Sequence, residues 1–175
     1  MSTRDKIIDA AMDIVRTQGV ARMTLDEAAK VAGVSKGGVL YHFRSKDDLI
    51  KAMIQRLIDQ MEDLHEQYYA AEPEGPYRWS RTFLHAAIDP NGPSNDPVGG
   101  ALLAAVSINP SLIEPLQRKY DEWIERMRGD SPDLGRAILV GMAMDGLIFA
   151  QVLGLQTGTP EEQALAIQAA LDLLK

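Results

Sequence analysis

The 175-residue chain contains no cysteine. It therefore has no disulfide framework, no thiolate nucleophile and no Cys-based metal site. That absence suits a reducing cytoplasm, which is the expected location. Histidine is scarce too: His42, His65 and His85 are the only three, and without Cys beside them they predict no metal site. No long apolar run is present. The longest uncharged stretch, Pro97 to Ile113, falls short of the ~20 residues of a membrane span and is broken at Asn109-Pro110. The opening MSTRDKIIDAAMDIV is interrupted by Asp5, Lys6, Asp9 and Asp13, which excludes the apolar core of a secretory signal. A soluble chain with no membrane partner is expected. Catalytic motifs are also missing. Gly33 and Gly38 have the spacing of the first half of a phosphate-binding loop, but Val39-Leu40 stands where Lys-Ser/Thr is required. His65-Glu66 continues as Gln67-Tyr68-Tyr69, which is not H-E-x-x-H and reads as a solvated helix face. No catalytic triad survives inspection. The chain is expected not to be an enzyme and to need no cofactor.

What is present is a chain able to fold. Hydrophobic residues make up 46% and charged residues 25%, enough for a core and unlike a disordered segment. The net charge of -7 argues at first against nucleic acid, because a DNA-binding domain usually shows a basic footprint. The charge is unevenly spread. Residues 1–51 hold nine Lys/Arg and seven Asp/Glu, a balance of +2, which leaves nine and eighteen, or -9, in residues 52–175. Between Ala28 and Lys46 there are four basic residues and no acid. Such asymmetry hints at nucleic-acid contact by one part of a chain, although a solvated face explains it equally.

The first fifty residues are helical in pattern. Ile7, Ile8, Ala11, Ile14 and Val15 form one apolar stripe, Ser2 or Thr3 can cap it, and Gly19 fits the left-handed position that ends it. Thr24-Leu25-Asp26-Glu27 is a capping box that starts a second helix, with Leu25, Ala28, Ala29 and Val31 expected inward. Gly33 breaks it. Ser35 caps a third helix of about Lys36 to Phe43, and Ser45 with Asp48 starts a fourth. Two short helices joined through Ala32-Gly33-Val34 make a helix-turn-helix pattern. The second helix of such a unit offers its N-terminal residues to the major groove, here Lys36, Gly37 and Gly38. A lysine can donate to guanine O6/N7. Two glycines in a short helix cost roughly 1 kcal/mol each relative to alanine. Close approach of backbone to DNA is one reason to keep them, and a loosely formed helix end is another.

The stretch TLDEAAKVAGVSKGGVLYHFRSKDDL resembles the DNA-binding segment of the tetracycline-repressor-like (TetR) family, over about residues 4–55 and most densely in AGVSKGG-x-LYHF-x-SK. The resemblance implies that Lys36 and Gly37 approach bases, that Tyr41 and His42 contact phosphates or a thymine methyl, and that Thr24, Ser35 and Lys46 contact phosphates. Phe43 would be core. Gly38 stands where the family often has Thr, Ala or Asn, so that position offers no side-chain base contact. Packing between helices is the competing reading of Tyr41 and His42.

Beyond residue 46 the pattern stays helical. Ile50, Ile54, Leu57, Met61, Leu64 and Tyr68 mark a long fourth helix ended by Pro73-Glu74-Gly75-Pro76. A fifth is expected from about Tyr77 to Ile88. The breaker-rich segment from Asp89 to Gly100 predicts a loop. Further helices are expected over Ala101 to Ile108, from Pro110 through Met127, over Leu134 to Leu155, and from Thr159 onward. The sum is an all-α fold of about nine helices: a DNA-binding domain over residues 1–46, and a ligand-binding and dimerisation domain over 47–175. The last two helices are apolar over more than one face, which a second subunit would cover. The family resemblance implies a homodimer through these helices. Met61, Trp79, Phe83, Trp123, Met127, Met142 and Phe149 gather as a candidate pocket for a small hydrophobic effector, with ordinary core as the competing reading. Asp145 interrupts an apolar helix and needs a partner: a cationic ligand, an Arg such as Arg136, or a dimer seam. The expected function is a ligand-responsive transcriptional regulator, a repressor that binds a palindromic operator as a dimer and is released by its effector. The rival is a helical ligand carrier or adaptor that does not bind DNA.

Overall fold

Ser2 accepts a hydrogen bond from the Asp5 backbone N–H, and the Asp5 carboxylate accepts from the Ser2 N–H, a reciprocal cap that starts α1 (Thr3–Gln18). Thr24 likewise accepts from the Glu27 N–H to start α2 (Leu25–Ala32), and Gly33 ends α2 at φ +67°, a left-handed conformation that glycine adopts without strain. Ser35 accepts from the Gly38 N–H at the head of α3 (Lys36–His42). Ser45 and Asp48 exchange bonds at the head of α4 (Lys46–Ala71). The remaining helices are α5 (Arg78–Ile88), α6 (Pro97–Ile108), α7 (Glu114–Asp130), α8 (Leu134–Val152) and α9 (Pro160–Leu173), with short 3-10 turns at Pro93–Asn95 and Pro110–Ile113. The structure, a computed structural model, describes residues 1–175. The fold is all-α, with nine α-helices and no strand.

Three local departures from the sequence pattern have physical causes. Gly19 ends α1 at φ +82° and ψ 161°, which has a positive φ but is not the left-handed helical position expected of it. The segment after Asp89 becomes helical earlier than its glycines suggest. Asp96 accepts from the Val98 N–H and Pro97 occupies the first turn, so α6 takes in Gly99 and Gly100. At the head of α5, Tyr77 has φ 56° and no side-chain cap of its own, and Asp130 at the end of α7 supplies one by accepting from the Trp79 N–H at 2.5 Å.

Packing divides the chain into two units. The first joins Met1–Ile58 to Asp96–Gln117. Its core is built from Ile7, Ile8, Met23, Val39, Phe43, Leu49 and Met53, all buried, together with Val98, Leu102 and Leu112 of the later segment. Each fully buried side chain of this kind contributes about 1.5–3 kcal/mol. Val31, expected inward, is exposed, since α2 is too short to bury more than the Ala28 and Ala29 edge. Ion pairs bind the pieces of this unit. Arg56 of α4 reaches Asp5 at 2.7 Å and Asp9 at 3.0 Å on α1. Arg16 of α1 reaches Asp96 at 2.8 Å. Burial acts to raise the pKa of Asp96, but the Arg16 and Val98 hydrogen bonds outweigh it and hold the carboxyl below its ordinary range.

The second unit joins Asp59–Asn95 to Arg118–Lys175. Its core holds Tyr77, Trp79, Phe83, Leu84, Met127, Val140, Met144 and Leu174. α8 is long and apolar enough, by length and composition alone, to cross a membrane, although only 22% of it is buried inside the chain. Arg136 and Asp145 interrupt it, so no long uncharged run marks this helix in the sequence.

Candidate nucleic-acid interface and effector cavity

α2, the turn at Gly33 and α3 form the helix-turn-helix. Val39 and Phe43 anchor α3 inward, and both are buried. The opposite face is open. Tyr41 is 84% exposed and Leu40 is exposed as well. His42 is half-buried, its ring edge-on to Tyr41 at 5.0 Å. Lys36, Gly37 and Ser35 are exposed at the head of the helix, and Gly38 is half-buried. Thr24 and Ser35 use an oxygen lone pair to cap their helices, which leaves each hydroxyl proton free to donate.

The two glycines of α3 are not there to make room within the chain. A Cβ added at Gly37 would meet only the Ser35 hydroxyl oxygen at 3.9 Å. At Gly38 it would meet that oxygen at 3.4 Å and the Val34 Cβ at 3.9 Å, both ordinary contacts. Two lysines named from sequence have partners inside the chain. Lys36 Nζ lies 3.0 Å from Asp26 Oδ1. Lys46 Nζ donates to the Val20 carbonyl at 2.7 Å and ties the start of α4 to the α1–α2 connection. An ammonium has three donors, so this bond does not exhaust Lys46.

The residues named as effector ligands separate into two groups. Trp79, Phe83, Trp123 and Met127 come together: Trp79 stacks on Phe83 at 4.8 Å, and Phe83 meets the edge of Trp123 at 4.8 Å. His65 joins them, which corrects its reading as a solvated face. It is 3% exposed, sits edge-on to Trp79 and Phe83, and pairs with the Thr82 hydroxyl at 2.9 Å. Burial pushes its pKa down, favouring the neutral ring. The signal for this was its place one residue after Leu64 on the apolar side of α4. Met61 is half-buried on α4 and stands outside the aromatic cluster. Met142 is 67% exposed and Phe149 52% exposed, so the structure does not bring them to the cluster. With Leu139 and Leu153 they form an apolar stripe along the outside of α8, continued on α9 by Leu165 and Leu173.

A cavity of about 280 Å³ lies elsewhere, between α8 and α9 over Leu84 of α5. Ala143, Gly146, Ala166 and Ala170 leave the space, Leu147 and Ile167 close it, and Thr157 and Gln163 supply its polar groups. None of the sequence-named ligand residues lines it. The physical reason is packing: large aromatics fill the core they were expected to hollow, and small residues on facing helices leave the void. Leu84, Val140 and Met144 belong both to the cavity wall and to the aromatic core.

Asp145 pairs with the Tyr120 hydroxyl, and Arg136 pairs instead with Asp133. Burial raises the Asp145 pKa above its ordinary value, while the bond from Tyr120 works against that rise. The folded chain thus holds this proton more tightly than the unfolded chain. The stability tied to Asp145 is fully present below the unfolded carboxylate pKa and is lost as pH rises through the folded one. Asp145→Asn is expected to raise the thermal midpoint at pH 7, with the gain disappearing near pH 3. Equal midpoint shifts at both values, in a thermal melt series, contradict this.

Comparisons with known proteins bear on both units. Residues 7–53 match the family model described as bacterial regulatory proteins, tetR family, and residues 77–175 match the tetracyclin repressor-like C-terminal domain. The chain is 34% identical over 82 residues to the HTH-type transcriptional regulator AcrR of Shigella flexneri, covering 47% of this chain and 38% of AcrR. It is 29% identical over 164 residues to the HTH-type transcriptional regulator CymR of Pseudomonas putida, covering 89% of this chain and 78% of CymR. The matches to AcrR and to SrpR of Pseudomonas putida thus span about two fifths or less of those relatives' length. Among solved structures, the multidrug binding protein EbrR complexed with malachite green superposes with a TM-score of 0.68 at 22% identity, covering 98% of both chains, which establishes the likeness of fold.

Proposed function

The chain belongs to the TetR family of bacterial regulatory proteins, and on that premise we propose that it is a ligand-responsive transcriptional regulator, a repressor. Residues 1–46 read DNA, and residues 47–175 bind an effector and dimerise. Two copies address two major grooves of a palindromic operator. The observation that carries this reading is the exposed face of α3, whose two glycines the chain's own packing does not require. A helix that gives up roughly 1 kcal/mol per glycine gains a backbone able to approach base edges closely.

The occupant of the outer stripe on α8 and α9 is a second copy of the chain. Isolated, α8 would leave Leu139, Met142, Phe149 and Leu153 in water. A membrane would also cover them, but it would place the half-buried Asp145 carboxyl in hydrocarbon, which is costly. The effector is a small, largely apolar molecule that enters the cavity between α8 and α9. Support for an aromatic chemistry comes from EbrR, the multidrug binding protein of similar fold that forms a complex with malachite green. Binding there favours a conformer in which the recognition helices no longer match the operator, and the operator disfavours effector binding by the same factor.

The test is footprinting and mobility shift on DNA flanking the chain's own coding region, with random DNA as competitor. Sequence-selective protection, relieved by apolar aromatic compounds, is expected. No preference for any site over random DNA at moderate salt sinks the proposal and favours a carrier or adaptor. Within that assay Lys36→Ala is expected to relax base preference, whereas Lys46→Ala weakens binding to all sequences and lowers the salt slope by about 1. An unchanged slope for Lys46→Ala would mean that its bond to Val20 is its whole role.

A further inference from the structure

Lys36 is the only side chain of α3 with a full charge, and it is not alone on that surface. Its Nζ lies 3.0 Å from one oxygen of Asp26 and 3.2 Å from the other, with both side chains 66% exposed. The bond links the first turn of α2 to the first turn of α3 across the helix-turn-helix. α2 does not need this carboxylate for its own start, since Thr24 caps it and Glu27 supplies a second first-turn acid.

An acid on a DNA-facing surface is repelled by phosphates, so it weakens every complex except one that offers it a hydrogen-bond donor. In the major groove the donors are the exocyclic amino groups of cytosine and adenine. We infer that Asp26 and Lys36 act together as one base-reading unit that recognises a G·C pair in the operator half-site. This rests on the DNA-binding reading above. Lys36 donates to guanine O6 and N7, and Asp26 accepts from the cytosine N4 amino group.

The geometry matches. In a G·C pair O6 and N4 are themselves hydrogen-bonded, so they stand about 2.9 Å apart. The Lys36 nitrogen and the Asp26 oxygen stand 3.0 Å apart and present the complementary donor and acceptor in the same spacing. An A·T pair fits poorly. Its amino group lies beside the adenine N7 acceptor, which repels a carboxylate, and its O4 lies beside the thymine methyl, which obstructs the ammonium. Gly37 and Gly38 follow Lys36 directly and carry no side chain to hold the pair away from the groove floor. The unit also works as a filter. On random DNA the lysine stays neutralised by Asp26 and contributes little to phosphate binding.

The experiment measures dissociation constants of the full chain on an operator set in which each half-site pair is changed in turn, and on random DNA. Wild type is expected to lose about tenfold to a hundredfold when one particular G·C pair becomes A·T, the value of one good base contact. Asp26→Ala should flatten discrimination at that pair to within about threefold, leave it intact elsewhere, and bind random DNA more tightly. Asp26→Asn, which keeps an acceptor oxygen, should retain part of the preference. A structural role alone would lower the melting temperature without moving base preference at a single position. Unchanged discrimination by Asp26→Ala, or equal loss at every position, overturns the unit. A wild-type chain that prefers no sequence overturns the DNA-binding reading itself, and the unit with it.

Discussion

Leu139→Glu combined with Phe149→Glu yields a monomer whose affinity for operator DNA is lower by a hundredfold or more. Both side chains are more than half exposed on α8 and face away from the aromatic core, so neither is needed to hold one chain together. Their position along the helix decides the matter. Leu139, Met142, Gly146, Phe149 and Leu153 repeat at alternating steps of three and four, which puts them on one narrow stripe. A second stripe met by the first covers the four side chains Leu139, Met142, Phe149 and Leu153, which are 52–67% exposed in the single chain, each for up to about 1.5–3 kcal/mol, while Gly146 lets the helices approach. Two carboxylates per chain, four per dimer, would have to be desolvated without partners, which costs more than the stripe gains. Losing the dimer removes the tethering of two recognition helices, and tethering of this kind commonly contributes 10²–10⁴ in affinity. Light scattering reports the mass, and a mobility shift reports the binding. The unfolding midpoint of the double variant at low concentration should stay close to that of dissociated wild type. A double variant that remains dimeric removes this stripe as the interface.

Most of the helix-turn-helix was legible before any coordinates, because its signals are local. Thr24, Ser35 and Ser45 each cap a helix through a bond to a backbone N–H three residues on, and Gly33 takes the left-handed turn that glycine permits. What periodicity could not resolve was the orientation of helices that are apolar on several faces. On α8 the inward residues are Ala137, Val140 and Met144, and the larger Met142 and Phe149 lie outside. Size and hydrophobicity favoured the wrong pair, because the face turned outward also has to be covered. His65 was misread for the converse reason. A polar residue followed by Glu66 looks solvated until Thr82, seventeen residues later, arrives to bind it. Lys36 with Asp26, Lys46 with Val20, and Arg56 with Asp5 and Asp9 are tertiary pairings that no spacing rule marks. The cavity was illegible for a related reason: a void is defined by the small residues of α8 and α9 that face each other, and facing is settled only by the fold.

Phe83→Ala destabilises the chain by about 3–5 kcal/mol, the usual cost of truncating a buried phenylalanine. Phe83 is the centre of the aromatic core. Its ring touches Trp79 on one face, Trp123 at an edge and His65 at another, all with centroids within 5.4 Å. Each aromatic pairing adds about 0.5–1.5 kcal/mol beyond area burial. Removing the ring leaves a void whose walls cannot collapse readily, because two of them are rigid indoles. It also opens the burial that keeps His65 neutral, so the imidazole of the variant should titrate closer to its ordinary value. Met142→Ala is the matched control. It deletes a side chain of similar volume from the exposed stripe, and in the dissociated chain it should cost no more than about 0.5 kcal/mol. Urea unfolding at low protein concentration separates the two, and NMR titration of the His65 ring follows the second effect. Similar losses for Phe83→Ala and Met142→Ala would show that the hydrophobic load of this unit is not centred on the Trp79–Phe83–Trp123 stack. A large loss for Phe83→Ala with an unmoved His65 titration would instead mean that Trp79 alone shields the imidazole.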